Sequence, residues 1–141
     1  MGRLAGKRVI ITGGSTGIGA AIARRFLDEG AKVCVWCRNK NNADAIKAEL
    51  AVLSDVVCVD VAEPTEIDVA FPRSVQALGG LDVMICNAGI SVRSDFIDIE
   101  RADFDRVMRV NVYGVFYPSQ LAARHMMKGD GGARACQESC V

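Results

Sequence analysis

The chain has 141 residues, half of them apolar, and its 17 basic and 17 acidic residues give a formal net charge of zero. This length predicts one domain with a hydrophobic core. The balanced charge argues against general binding to nucleic acid or to anionic membranes. No apolar run is long enough to span a bilayer, and the basic N-terminus is not followed by a signal sequence. We therefore expect a cytoplasmic protein.

The six cysteines do not predict a metal site. Cys34 and Cys37 lie on one predicted strand, and residues three apart on a strand point to opposite faces. They therefore cannot share a metal ion or easily form a disulfide. Cys58 and Cys86 fall in or at the ends of other predicted buried strands, where a free cysteine behaves as a small hydrophobe. We expect reduced, structural cysteines and no bound metal.

The segment 7–19, KRVIITGGSTGIG, organises the rest of the chain. Its β-branched run, residues 9–11, predicts a strand buried on both faces, and a helical pattern follows the glycines. At such a turn, free backbone N–H groups and the helix dipole hold a pyrophosphate. Gly13 permits the tight turn, Gly17 lets the backbone approach the phosphates, and Gly19 lets the helix pack close to the strand. The alternative is a flexible turn. A kinase-type phosphate loop is not expected, because no Gly-Lys-Ser/Thr ends the run.

Strand and helix patterns alternate along the remaining sequence. This order predicts an α/β fold with a parallel sheet and right-handed crossovers. Pro64 suits the first turn of one helix, whereas Pro72 should break or kink that helix, and Pro118 should kink the last one. The predicted elements are strands at 31–37, 55–59 and 81–86, a polar loop at 38–42, and helices at 43–50, 64–78 and about 100–128.

Four motifs in order resemble the short-chain dehydrogenase/reductase family. They are Thr-Gly-x-x-x-Gly-x-Gly at 12–19, Asp60-Val61, Asn87-Ala88-Gly89 and Val110-Asn111-Val112. The resemblance implies a Rossmann-like, doubly wound parallel sheet with strand order 3-2-1-4, truncated after about four strands and the long helix. It implies an incomplete NAD(P)-binding domain at 1–128, and we expect the unpatterned tail, 129–141, to be disordered.

The resemblance also implies a nicotinamide dinucleotide as cofactor. Arg38 follows the second strand where a carboxylate would bind the ribose 2′-OH, so this position favours NADP, with NAD as the alternative. A solvated polar turn is the plainer interpretation. By resemblance, Asp60 accepts from the adenine amino group, although it could instead cap the next helix. The expected cofactor-binding residues are Thr12, Gly13, Ser15, Thr16, Gly17, Ile18, Gly19, Arg38, Asn39, Asp60, Val61, Asn87, Ala88 and Gly89.

Asn111 is a polar residue within an apolar helical stripe, so we expect a buried amide with hydrogen-bond partners. By resemblance it is one member of the family's catalytic tetrad and holds a water in the proton relay. A core asparagine without a catalytic role is the alternative.

The remaining catalytic pattern of the family is not found in this sequence. The family transfers hydride between the dinucleotide and an alcohol/carbonyl pair, using a tyrosine acid/base and a lysine four residues later. Here Tyr113 is followed at that spacing by Tyr117, and Tyr117 by Leu121. We therefore expect this chain to be inactive by itself. The alternatives are a non-catalytic NADP-binding or dimerisation module, acting through the helix 100–128, and a non-functional fragment.

Residues 129–141 show no strand pattern where the family continues with another strand. A frameshift, an unspliced intron or an alternative exon would each explain such a tail. With strand order 3-2-1-4, the fourth strand would be an unprotected apolar edge. We therefore expect marginal stability and self-association.

Overall fold

The computed structural model describes residues 2–129, so the tail prediction for 130–141 lies outside the described residues. The strands are β1 (Arg8–Thr12), β2 (Lys32–Cys37), β3 (Asp55–Cys58) and β4 (Val83–Cys86). The α-helices are α1 (Gly17–Asp28), α2 (Lys40–Glu49), α3 (Pro64–Leu78), α4 (Arg101–Met108) and α5 (Gly114–Lys128). A 3-10 turn spans Phe96–Asp98, and a π-helical segment, Arg109–Tyr113, joins α4 to α5.

The four strands form one parallel sheet in the order β3-β2-β1-β4, as the family resemblance implies. Val9, Ile10 and Ile11 of the central strand β1 are fully buried. Both faces are covered, because apolar residues of α3 and α5 pack on one face and those of α1 and α2 on the other. This is the Rossmann-like arrangement, with the carboxyl ends of all strands at one edge of the sheet.

A buried polar contact joins the sheet to α3. The Trp36 ring nitrogen donates to the Ser74 hydroxyl at 2.8 Å, and both residues are fully buried. Since a buried polar group is costly without a partner, this bond satisfies both side chains.

Helix α2 begins earlier than predicted, because Lys40 to Asn42 are helical and not part of a loop. Asn39 is the N-cap, and its side-chain oxygen accepts a hydrogen bond from the N–H of Asn42 at 3.1 Å. This cap satisfies a free N–H of the first turn and starts the helix at Lys40.

Pro72 does not break α3, which is continuous through it. Proline removes the hydrogen bond to the carbonyl of Asp68. The helix nevertheless continues because Ile67, Phe71 and Leu78 pack in the core beneath the sheet. Pro64 occupies its first turn, as predicted, and Gly79 ends it with φ +75°.

The predicted long helix 100–128 is divided by its π-helical segment. This segment precedes Pro118, the residue expected to kink the helix, by about one turn. The predicted apolar stripe is also divided: Val110 is buried, whereas Phe104 and Val115 are exposed. None of the helices within residues 2–129 is both long enough and apolar enough to cross a membrane.

Two predicted burial states are wrong. Cys58 is exposed because it ends β3, the outermost strand on one side of the sheet. Asn111 is exposed because it lies beyond β4, and β4 is the other edge of the sheet described here. All four residues of β4 are only half-buried, in contrast to the central strand β1.

Candidate functional site

The glycine turn between β1 and α1 brings backbone segments very close together. A Cβ atom at Gly19 would lie 2.1 Å from the carbonyl oxygen of Gly13, so only glycine lets α1 pack there. Gly17 has φ +52°, and within residues 2–129 a Cβ built on it meets only open space beyond its own neighbours in the chain. The turn therefore opens outward at Gly17, at the first residue of α1, where N–H groups have no helical partner.

Thr12 and Asn87 tie this turn to the end of β4. The buried Thr12 hydroxyl accepts hydrogen bonds from the N–H groups of Asn87 and Ala88, both at 3.0 Å. Asn87 Nδ2 donates to the carbonyl oxygens of Thr12 and Gly13 at 3.2 and 3.1 Å. These two side chains fix the shape of the site by holding neighbouring backbone segments together.

The end of β2 presents Arg38 and Asn39 at the same edge. Asn39 caps α2, as described above. Arg38 is exposed, and within residues 2–129 no carboxylate forms a salt bridge with it. Its guanidinium is thus available for an anionic ligand.

Asp60 follows β3 and shapes the next turn. Its carboxylate accepts from the N–H of Ala62 at 2.9 Å, and its own N–H donates to Glu66 at 2.7 Å. The N-cap of α3 is Glu63, so Asp60 does not occupy the capping position that was its alternative role. Val61 is buried against Gly114, where a Cβ would lie 2.7 Å from the valine side chain.

These strand ends enclose a cleft of about 240 Å³. It contains residues from all four predicted motif regions, although not every predicted residue. Those lining it are Gly13, Ser15, Thr16, Arg38, Asn39, Asp60, Val61, Ala88 and Gly89. Those not lining it are Thr12, Gly17, Ile18, Gly19 and Asn87.

Several residues of the cleft wall are not among those predicted from the sequence. Cys37, Val59 and Ile90 directly adjoin predicted residues, so extending each motif by one position would have found them. Asn42 became part of the site because α2 begins early. The missed residues are Trp36, Cys37, Asn42, Val59, Ile90 and Val110.

A larger cavity of about 680 Å³ adjoins the cleft and shares Arg38, Asp60 and Val110 with it. Its far wall is formed by α4, including Arg106, and by Arg109 at the start of the π-helical segment. Together, the two cavities form an elongated groove along the carboxyl edge of the sheet. Ligands bind at this edge in open α/β sheets.

Asn111 lies in the π-helical segment beside the cleft. Its side-chain oxygen accepts from the N–H of Ile90 at 2.8 Å, and its Nδ2 donates to the Ile90 carbonyl at 2.8 Å. The amide thus anchors the loop after β4. π-Helical turns often occur at functional sites.

Comparisons with known proteins identify relatives of this sequence. The sequence is 38% identical over 130 residues to glucose 1-dehydrogenase of Gluconobacter oxydans, covering 89% of this chain and 49% of that protein. It is also 38% identical over 136 residues to 3beta-hydroxysteroid dehydrogenase 2 of Eggerthella lenta, covering 92% and 52%. The chain spans about half the length of the curated relatives it matches.

Solved structures show the same fold. A short chain dehydrogenase from Burkholderia cenocepacia in complex with NADP superposes with a TM-score of 0.81 at 40% identity, covering 87% of this chain and 52% of that one. The 3-ketoacyl-(acyl-carrier-protein) reductase of Brucella melitensis, complexed with NADH, has a TM-score of 0.83 at 32% identity, covering 89% and 52%. Residues 7–133 match the family described as short chain dehydrogenase. The chain therefore belongs to the short-chain dehydrogenase family.

Proposed function

We propose that this chain binds NADP in the groove along the carboxyl edge of the sheet. The observation that carries the proposal is the glycine turn, which opens outward at Gly17 and at the N-terminus of α1. N–H groups without helical partners and the positive end of the helix dipole attract a pyrophosphate there. The groove extends from this turn to Asp60, the proposed partner of the adenine amino group.

Arg38 supports NADP over NAD. It lines both cavities of the groove, and within residues 2–129 it has no salt-bridge partner. The 2′-phosphate distinguishes NADP from NAD, and an arginine near the end of the second strand accommodates that phosphate. The complexes of the two structural relatives contain NADP and NADH, so the family fold admits both dinucleotides.

The proposed activity of the lineage is the oxidation or reduction of an alcohol/carbonyl pair. A bound nicotinamide dinucleotide supplies the hydride chemistry. This chain's own residues bind and orient it, with Asn111 as the member of the family's tetrad that the sequence retains. Because the sequence contains no Tyr-x-x-x-Lys, we propose that the chain by itself binds the cofactor without turnover.

A titration of NADPH and NADH against the purified chain tests the binding proposal. We expect tighter binding of NADPH, and R38A should weaken NADPH binding about tenfold, which corresponds to about 1.4 kcal/mol. NADH binding should not change. R25A is the matched control, because Arg25 lies on α1 and pairs with Glu29 outside the groove. Equal loss of affinity for both dinucleotides in R38A would contradict the proposed role of Arg38.

A second candidate role is pairing with another copy of the chain. Phe104, Met108, Val112 and Phe116 lie four residues apart along α4, the π-helical segment and α5. Each is between 41% and 57% exposed, so these side chains form an apolar stripe on the surface. Contiguous exposed apolar surface of this kind marks interaction sites, and we therefore propose self-association through this helix.

A further inference from the structure

Cys37 and Cys58 are cross-strand neighbours at the edge of the proposed cofactor groove. They end β2 and β3, and the parallel register places their Cα atoms directly opposite each other. Neighbouring strands lie about 4.8 Å apart. This spacing falls within the Cα separation of about 4.4–6.8 Å that disulfides span.

Both side chains also point to the same face of the sheet. On β2, Cys34 and Trp36 belong to the core beneath α3, so Cys37 points to the α1/α2 face. On β3, Val57 belongs to the α3 core, so Cys58 likewise points to the α1/α2 face. Cys34, three residues before Cys37, lies on the opposite face and cannot replace it.

The two thiols differ in their access to solvent. Cys58 is exposed, whereas Cys37 is only 6% exposed and lines the cleft beside Arg38. Burial raises the pKa of the Cys37 thiol, an effect that the Ser15 hydroxyl partly offsets. Within residues 2–129, no cluster of three or more His, Cys, Asp or Glu side chains is arranged for a metal ion.

We propose that Cys37 and Cys58 are a redox modification site that forms a reversible disulfide when the protein meets a peroxide. The exposed Cys58 reacts first. Its thiolate attacks one oxygen of hydrogen peroxide, the O–O bond breaks, and hydroxide leaves and takes up a proton to become water. This step converts Cys58 to a sulfenic acid.

Cys37 then completes the reaction. Its sulfur attacks the sulfur of Cys58, the S–S bond forms, and the S–O bond breaks. The leaving hydroxide combines with the thiol proton of Cys37 as a second water. In sum, two thiols are oxidised and one peroxide is reduced to two waters.

The disulfide should also affect the cleft, a consequence that depends on the proposed function. Cys37 lines the cleft and contacts Ser15, a proposed phosphate-binding residue. A disulfide holds its two Cβ atoms about 3.5–4.5 Å apart, so it would fix the end of β2 to β3 and remove the free Cys37 thiol beside Ser15. Arg38 directly follows Cys37 in the chain, and we therefore expect the oxidised protein to bind NADPH several-fold more weakly.

Mass spectrometry of the full-length chain tests the site directly. After hydrogen peroxide treatment and a non-reducing tryptic digest, peptide 33–38 should be linked to the peptide containing Cys58, and dithiothreitol should release it. The link should persist in C34S and C86S and disappear in C37S and C58S. A link from Cys58 to another cysteine, or oxidation of Cys58 only to sulfinic or sulfonic acid, would overturn the proposal.

NADPH binding to reduced and oxidised protein separates this proposal from the cofactor proposal. Weaker NADPH binding after oxidation in wild type but not in C58S supports both the redox site and the cofactor proposal. A disulfide that forms in a chain unable to bind NADPH in either state supports the redox site and contradicts the proposed function. If the Cys37–Cys58 disulfide is fully formed and the NADPH affinity is unchanged, the proposed effect of the disulfide on cofactor binding is overturned.

Discussion

Asn111 and Ile90 are joined by two hydrogen bonds of 2.8 Å, in which one side-chain amide both donates to and accepts from one backbone residue. Ile90 lines the cleft directly after Gly89. Through Asn111, the π-helical segment therefore holds the loop that forms one wall of the cleft. This structural role does not depend on a catalytic role of Asn111.

Substituting Asn111 should loosen this loop. N111A removes both bonds. Each such bond contributes about 0.5–1.5 kcal/mol, and this contribution is smaller where the bond is exposed to solvent, so we expect the free energy of unfolding to fall by about 1 kcal/mol. Hydrogen exchange at the Ile90 amide should become faster. N111D keeps the acceptor and should preserve protection of that amide. N41A, an exposed site on α2, is the control, and unchanged Ile90 exchange in N111A would contradict the assigned role.

Gly17 and Gly19 should separate binding from stability. G19A forces a Cβ to within 2.1 Å of the Gly13 carbonyl oxygen, and such overpacking costs about 1–3 kcal/mol. Among residues 2–129 the new methyl group of G17A faces open space, so its cost should be limited to the strain of a positive φ, about 1 kcal/mol. G17A should nevertheless bind NADPH at least tenfold more weakly, because its methyl group faces the proposed phosphate position.

Urea unfolding and NADPH titration of both variants check this prediction. If G17A binds NADPH as tightly as wild type while remaining folded, the pyrophosphate does not lie over this turn.

The Arg8–Asp82 pair should give the protein a specific acid sensitivity. Asp82 accepts from the Arg8 side chain at 2.8 Å and from its backbone N–H at 2.9 Å. The side-chain bond from Arg8 lowers the pKa of Asp82 to about 2. A folded-state pKa below the unfolded value stabilises the fold above pH 4, and this contribution is lost as the pH falls toward 2.

D82N removes this contribution. Because both side chains are partly exposed, we expect the free energy of unfolding to fall by about 1 kcal/mol at pH 7. This loss is well below the value that the full pKa shift of Asp82 would imply. The difference from wild type should disappear near pH 2 in urea unfolding curves measured across this range. D28N replaces an exposed carboxylate on α1 that forms no salt bridge with any residue in the range 2–129, and it should show no such pH-dependent difference.

The exposed helical stripe predicts self-association that a charge would prevent. Phe116 is 56% exposed and lies beside Met108 and Val112 in a mostly apolar surface pocket. F116E would bury an unpaired charge at the proposed contact, so it should shift the protein toward monomer in sedimentation velocity. V52E, at a 74% exposed site distant in sequence from the stripe, is the control. Equal association in F116E and wild type would contradict the proposed surface.

The central strand and the glycine turn were predictable because their signals are local, whereas the strand order was implied by the family resemblance. A fully apolar β-branched run such as Val9–Ile11 has few alternatives to a buried central strand. Gly13 and Gly19 occupy positions where only glycine fits, and the residue spacing in the turn reflects this requirement. Alternating strands and helices then leave few topologies to consider.

Other features depend on contacts between distant residues and were not predictable. The exposure of Asn111 follows from its position beyond an edge strand, whereas its apolar neighbours in sequence suggested a core residue. The π-helical segment has no spacing signal, and α3 continues through Pro72 because its apolar face is buried. The early start of α2 depends on one hydrogen bond, from the Asn42 N–H to Asn39.

The central claim is that this chain binds NADP at the carboxyl edge of its sheet. Amide chemical-shift mapping of the 15.1 kDa protein during NADP titration tests it most directly. We expect the largest shifts at Gly13, Ser15, Arg38, Asp60 and Gly89, with smaller shifts for NAD at Arg38. No shifts from a folded protein, or shifts confined to residues outside the groove, would contradict it.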